Sequence, residues 1–161
     1  MTTQKSDYAK GLRQFPFPGG SESVSVRAEI TLTAALAGVG DILQFGELPD
    51  GCVVTDWSID SDDLDTGATL AVDFGLLTAA GTAVSAAAAD GGKWLAASTA
   101  LQAASFTRMS AGTVAVQTAI ARMAPATGKR MVAAVTTAAG AGGVGNKIGV
   151  SLTYRAANGN N

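Results

Sequence analysis

The side chains in this sequence best suited to chemistry are four aspartates packed into one short run, Asp60, Asp62, Asp63 and Asp65. Carboxylates are hard oxygen ligands, and Asp63-Leu64-Asp65-Thr66-Gly67 has the spacing of the first half of a calcium-binding loop. The second half breaks the pattern, because Val72, Asp73 and Phe74 stand where a bidentate glutamate is wanted. The expectation is a solvated turn that binds no metal. The glycine-rich run 140–145 invites a phosphate reading, but a P-loop runs through Gly-Lys-Ser/Thr into a helix, whereas Asn146-Lys147 here leads into a strand pattern. The absence of histidine removes the usual general base, the commonest metal ligand and the ordinary nucleophilic triads. No serine stands at a telling distance from Lys93, Lys129 or Lys147. Cys52 is the one cysteine, so there is no internal disulfide framework, and it reads as a small buried hydrophobe. The chain is expected to be no enzyme, with no catalytic residues and no cofactor.

The acidic run lies between two alternating stretches. Leu48-Pro49-Asp50-Gly51 is a turn: Pro49 presets φ, Asp50 bonds its own backbone and Gly51 accepts positive φ. From Val53 the odd positions Val53, Thr55, Trp57 and Ile59 share one face, with Trp57 as a core anchor. The like charges of Asp60–Asp65 keep that loop in water until Asp65-Thr66-Gly67 reverses the chain. Leu70, Val72 and Phe74 then form a second strand, expected to return antiparallel to the first. Before this unit, Val24, Val26, Ala28, Ile30 and Leu32 alternate without a break, and Ile42–Phe45 is a short strand. After it, Leu76–Asp90 is Ala-rich, with a hairpin turn at Gly81 and one turn of helix over Ala86–Ala89. Lys93–Ala104 places Trp94, Ala97, Leu101 and Ala104 on one helical face, so a short helix competes with an irregular insertion. Val114, Val116 and Ile120 indicate a strand, Thr127-Gly128-Lys129-Arg130 a turn, and Met131–Thr136, apolar on both faces, a central strand. Ile148, Val150, Leu152 and Tyr154 alternate in the last strand. The predicted core is Val26, Ile30, Trp57, Ile59, Leu70, Val72, Val150 and Leu152.

These elements predict an all-β protein, a β-sandwich or jelly-roll-like domain over residues 23–155, with an extended N-terminal arm at 1–22 and a polar tail at 156–161. In the arm, Phe15-Pro16-Phe17-Pro18 sets two aromatic rings between prolines that disfavour helix. The rings either plug the edge of the domain's own core or dock on a partner subunit or capsid. Lys5, Lys10 and Arg13 are too few for a nucleic-acid footprint. No apolar run approaches the roughly 20 residues of a membrane span, and the first residues lack the apolar middle of a signal peptide. Only 15% of residues are charged, and they divide unevenly: residues 1–90 hold thirteen acids and four basic residues, a net of −9, while residues 91–161 hold seven basic residues and no acid. Either the two halves interleave in one sandwich, or the molecule has an acidic and a basic end.

The turn Leu48-Pro49-Asp50-Gly51, the following strand, Asp63-Leu64-Asp65-Thr66-Gly67-Ala68-Thr69-Leu70 and Asp73-Phe74-Gly75-Leu76 together resemble a pattern of head decoration (cement) proteins of tailed bacteriophages and related small virion proteins. The pattern covers residues 23–76, and its Pro49, Gly51, Asp65 and Gly67 are structural turn residues. The resemblance implies a β-sandwich made in the host cytoplasm that binds the major capsid protein on the capsid surface, commonly as a homotrimer, and stabilises the head. A carbohydrate-binding module on a virion or cell surface is the alternative, and it needs exposed Trp or Tyr platforms.

Overall fold

The computed structural model describes residues 1–19, 22–86, 92–108 and 130–157. Among them run nine strands: β1 (Thr3–Lys5), β2 (Ser23–Thr31), β3 (Ile42–Leu48), β4 (Cys52–Ser61), β5 (Ala71–Leu76), β6 (Lys93–Ser98), β7 (Ser105–Arg108), β8 (Arg130–Ala138) and β9 (Lys147–Ala156). They form a five-stranded sheet in the order β1-β3-β8-β5-β6 and a four-stranded sheet in the order β2-β9-β4-β7. Every neighbouring pair is antiparallel except β1 and β3. The chain is an all-β sandwich, as its alternation predicts: one face of each sheet is apolar and the two can be buried only against each other. All eight predicted core residues are buried, and they belong to one cluster drawn from both sheets. At its centre Trp57 packs edge-on against Phe74 at 5.3 Å and stacks with Trp94 at 6.3 Å between ring centroids.

β8 is the middle strand of its sheet, as its two apolar faces require. Val132 and Ala134 face the main core, while Ala133 and Val135 join Ile42, Leu77 and Val84 in a second cluster. That cluster is closed by a reversal at Gly81, φ +70°, which lets Leu77 bridge to Val84.

Four sequence expectations are corrected. The inward face of β4 switches midway: Cys52 and Val54 are buried before a bulge at Thr55, and Trp57 and Ile59 after it, so Val53 and Thr55 do not share the face of Trp57. The extra residue of a bulge shifts the pleat by one, and a period of two read from one end cannot register it. β5 does not pair with β4. It lies in the other sheet between β8 and β6, because residues 62–70 cross from one sheet to the other. Nor does that connection stay in water, since Leu64, Asp65 and Leu70 are buried in it. Finally, the short helix expected over 93–104 is strand β6 followed by a single 3₁₀ turn at Ala100–Gln102. Trp94, Leu95 and Leu101 are buried, but Ala97 and Ala104, which a helix would place on the Trp94 face, are exposed. The expected strand at Val114–Ile120 and the turn at 127–129 lie outside the described residues, as do most of the Ala86–Ala89 helical turn and the end of the tail.

The registers set the loops at two poles. Loops 32–41, 62–70 and 139–146 meet at one, tied by Leu32 N–H to the Asn146 carbonyl at 2.9 Å, Gly140 N–H to Leu36 at 2.9 Å and Thr66 N–H to Ala141 at 2.7 Å. The Pro49-Asp50-Gly51 turn lies at the other, where the Ala157 amide donates to the Gly51 carbonyl at 2.8 Å.

Candidate interface site

The opening residues, which show no periodicity, are held on the sandwich by specific anchors. β1 extends the edge of β3. Gln4, 6% exposed, donates from Nε2 to the Ala34 carbonyl at 2.8 Å and accepts from the Thr33 amide at 2.8 Å, and Ser6 Oγ donates to the Phe45 carbonyl. Such buried polar groups stay only where they are matched, so they fix one path for the segment. That path delivers Phe15 into a socket. Its ring meets Tyr8 edge-on at 4.9 Å and stacks with Tyr154 at 6.2 Å, and the floor is Gly46, where a Cβ would stand 2.5 Å from Phe15 Cζ. Glycine is needed here because the ring occupies the space of a side chain. Tyr154 Oη, buried beneath, donates to the Pro16 carbonyl at 2.7 Å, and burial raises the Tyr154 phenol well above its ordinary range.

Of the two fates open to the aromatic pair, Phe15 plugs the core edge. Phe17, two residues on, is 66% exposed. Pro16 is exposed and Pro18 buried, so the second ring stands out from a seat fixed on both sides. Beside it lies a groove of about 540 Å³ lined by Phe15, Phe17, Glu47, Pro49, Asp50 and Met131, with Arg13 over the Tyr8 ring at 5.0 Å. The structure thus brings Phe15, Pro16, Phe17 and Pro49 to one pole, with Gly51 (φ +69°) closing the neighbouring turn.

Asp65 and Gly67 lie at the opposite pole in a knot of backbone amides. Asp65 Oδ1 accepts from Ala141 at 2.7 Å and Gly67 at 3.0 Å, and Oδ2 accepts from Leu70 at 2.6 Å and Thr69 at 2.5 Å. Ala141 and Leu70 foremost hold this carboxyl far below the usual carboxylate range. The glycine-rich run exists for this approach: at Gly143, φ +77°, a Cβ would meet the Leu64 carbonyl oxygen at 2.7 Å. The other aspartates are engaged as well. Asp62 accepts the Lys147 amide at 2.8 Å, Asp63 accepts the Asp65 amide at 3.0 Å, and Asp60 grips Arg27. Among the described residues no group of three acids or thiols is placed to hold a metal ion.

Among the described residues, part of the uneven charge distribution resolves into pairs. Lys93 meets Asp73, Arg108 meets Asp56 at 3.4 Å and Lys147 meets Glu29 at 3.0 Å, each joining the basic half to the acidic half across strands. The two halves interleave. Both tryptophans and Tyr154 are in the core and Tyr8 is half-buried against Phe15, so none of them stands out as an exposed platform for a glycan.

This chain, so folded, is similar to known proteins. It superposes on a chain of the structure "Capsid of Ralstonia phage GP4" with a TM-score of 0.77 and 31% identity, over 98% of this chain and 99% of that one. This chain belongs to that family of phage capsid structural proteins. As a virion structural protein it also shares its fold with a chain of the "Cyanophage Pam1 capsid asymmetric unit", at a TM-score of 0.58 and 21% identity over 89% of this chain and 94% of that one. No family model matches the sequence, and no curated protein does. The likeness covers 98% of this chain, well beyond the turns and strands of residues 23–76.

Three residues of the Phe15 socket went unrecognised as such in the sequence. Tyr154 is patterned inward, but nothing ties it to residue 16. Gly46 interrupts an apolar strand, which is the usual sign of close backbone approach, and that signal was available. Tyr8 has no local pattern at all.

Proposed function

We propose that this virion protein binds the outside of an assembled phage capsid through the Phe15-Pro16-Phe17-Pro18 segment and stabilises the shell. The observation that carries this reading is the exposed Phe17 ring, held out from a segment whose neighbours are locked by the Phe15 socket and the Tyr154–Pro16 bond. A large apolar ring in water is unfavourable, and one fixed in place loses little entropy on docking, which is how interface anchors are built. The family supports a capsid partner, for which the major capsid protein is the natural candidate, and repeated sites on a shell multiply weak contacts. A homotrimer would present three such rings together. The protein so read is a structural element and not an enzyme.

The experiment is re-addition of purified protein to shells lacking it, with occupancy and thermal rupture of the shell as readouts. Phe17→Ser lies on the surface and should leave the fold intact while lowering occupancy at least tenfold, and bound wild-type protein should raise the rupture temperature. Unchanged occupancy for Phe17→Ser removes this segment from the interface. Bound protein shielded from surface labelling on intact particles places it inside.

A further inference from the structure

Among the described residues the outer edge of β2 is the longest open edge, and we infer that it is a copy-to-copy contact in which β2 of one subunit pairs antiparallel with β2 of a second, centred on Ala28. β2 has nine residues and, among the described residues, pairs with β9 alone, without a bulge or a proline. The other edges are poorer templates: β1 has three residues, β7 four, and the pairing of β6 is broken by two register shifts. Long regular edges either are blocked by such devices or are used.

The register follows from side-chain facing and charge. In a two-fold antiparallel pair, the buried residues Val26, Ala28 and Ile30 must meet buried residues of the second copy, so the axis passes through a residue and not between two. An axis at Arg27 sets guanidinium opposite guanidinium, and one at Glu29 sets carboxylate opposite carboxylate, both unfavourable. An axis at Val26 places both charges opposite serines. The axis at Ala28 places Arg27 opposite Glu29 of the second copy twice over, Ser25 opposite Thr31, and Val26 opposite Ile30. Arg27 reaches across Gly149 to Asp60 and Glu29 pairs with Lys147 within one subunit, so in this register the second copy adds a neighbour of opposite sign to charges that already have partners.

The same register accounts for a second feature. At the Thr31 end of β2 lies a polar groove of about 280 Å³ whose lining includes Lys5, Lys10, Thr31 and Thr33. Opposite Thr31 and Thr33 this register sets Ser25 and Ser23 of the second copy, with the exposed Glu22 one residue further on. That carboxylate comes next to a groove carrying two ammonium groups. The contact is isologous, and on a closed shell it would join neighbouring clusters without competing with a three-fold arrangement.

Mixed-cysteine crosslinking tests both the contact and its register. Ser25→Cys and Thr31→Cys are surface changes, and the native Cys52 is fully buried. Under mild oxidation, the two variants mixed should give a covalent dimer at least tenfold faster than either alone, because only 25 and 31 face each other. A covalent dimer that forms equally fast from Ser25→Cys alone overturns the register, and no dimer in the mixture at high protein concentration overturns the contact. Glu29→Arg should abolish dimer formation in the same assay while its circular dichroism stays native. Undiminished dimer with native circular dichroism would show that the charges do not set the axis.

Discussion

The carboxylate of Asp65 accepts the amide of Ala141 at 2.7 Å, a bond between residues 76 positions apart that locks two loops of one pole together. With the Leu70, Gly67 and Thr69 amides also directed at it, this side chain is the hub of that pole.

Protonating the hub weakens every one of those bonds. Its folded carboxyl titrates below its unfolded value, so the stabilisation is complete above about pH 4, the ordinary aspartate range, and is lost progressively as the pH falls below that. Urea melts from pH 6 to pH 2 should show this acid limb. In Asp65→Asn the protein should be weaker at pH 6, with a flattened limb, because the amide NH₂ cannot accept from those donors.

Chelation should change nothing. The Asp65 oxygens are occupied by amides, and Asp62 and Asp63 accept backbone N–H groups of their own. Equal melting temperatures with and without EDTA are expected; a clear fall on chelation would reveal an ion bound to the native state.

Trp57→Ala should cost roughly 3 to 5 kcal/mol, as large-to-small changes in a close-packed core do. Its ring is 2% exposed and shared with Phe74 and Trp94, so little of the cavity can be refilled. Denaturant unfolding measures the loss, and a value below about 1 kcal/mol would contradict the packing.

Gly46→Ala should expel Phe15 from its socket and destabilise the fold by about 1 to 3 kcal/mol, the usual range for overpacking. It should also weaken attachment to shells, since Phe17 then loses its fixed seat. Phe17→Ser should do the second without the first, and comparing the two in one occupancy assay separates seat from anchor.

Much of this protein was determined by periodicity alone. The unbroken alternation of Val24–Leu32 and Ile148–Tyr154 is buried as read, because a period of two leaves one face apolar and only a second sheet can cover it. The doubly apolar Met131–Thr136 found the middle of its sheet for the same reason. Tertiary structure decided the rest. The bulge at Thr55 reverses which face of β4 points inward, and the Asp62–Leu70 connection changes sheets, because partners far along the chain reward those choices and no local pattern records them. Asp65 looked like a solvated charge until the Ala141 amide was brought to it. The Phe15-Pro16-Phe17-Pro18 motif was visible as two aromatic rings needing cover. Which ring is buried depended on a glycine at 46 and a tyrosine at 154, since a socket is a property of surfaces that meet only after folding.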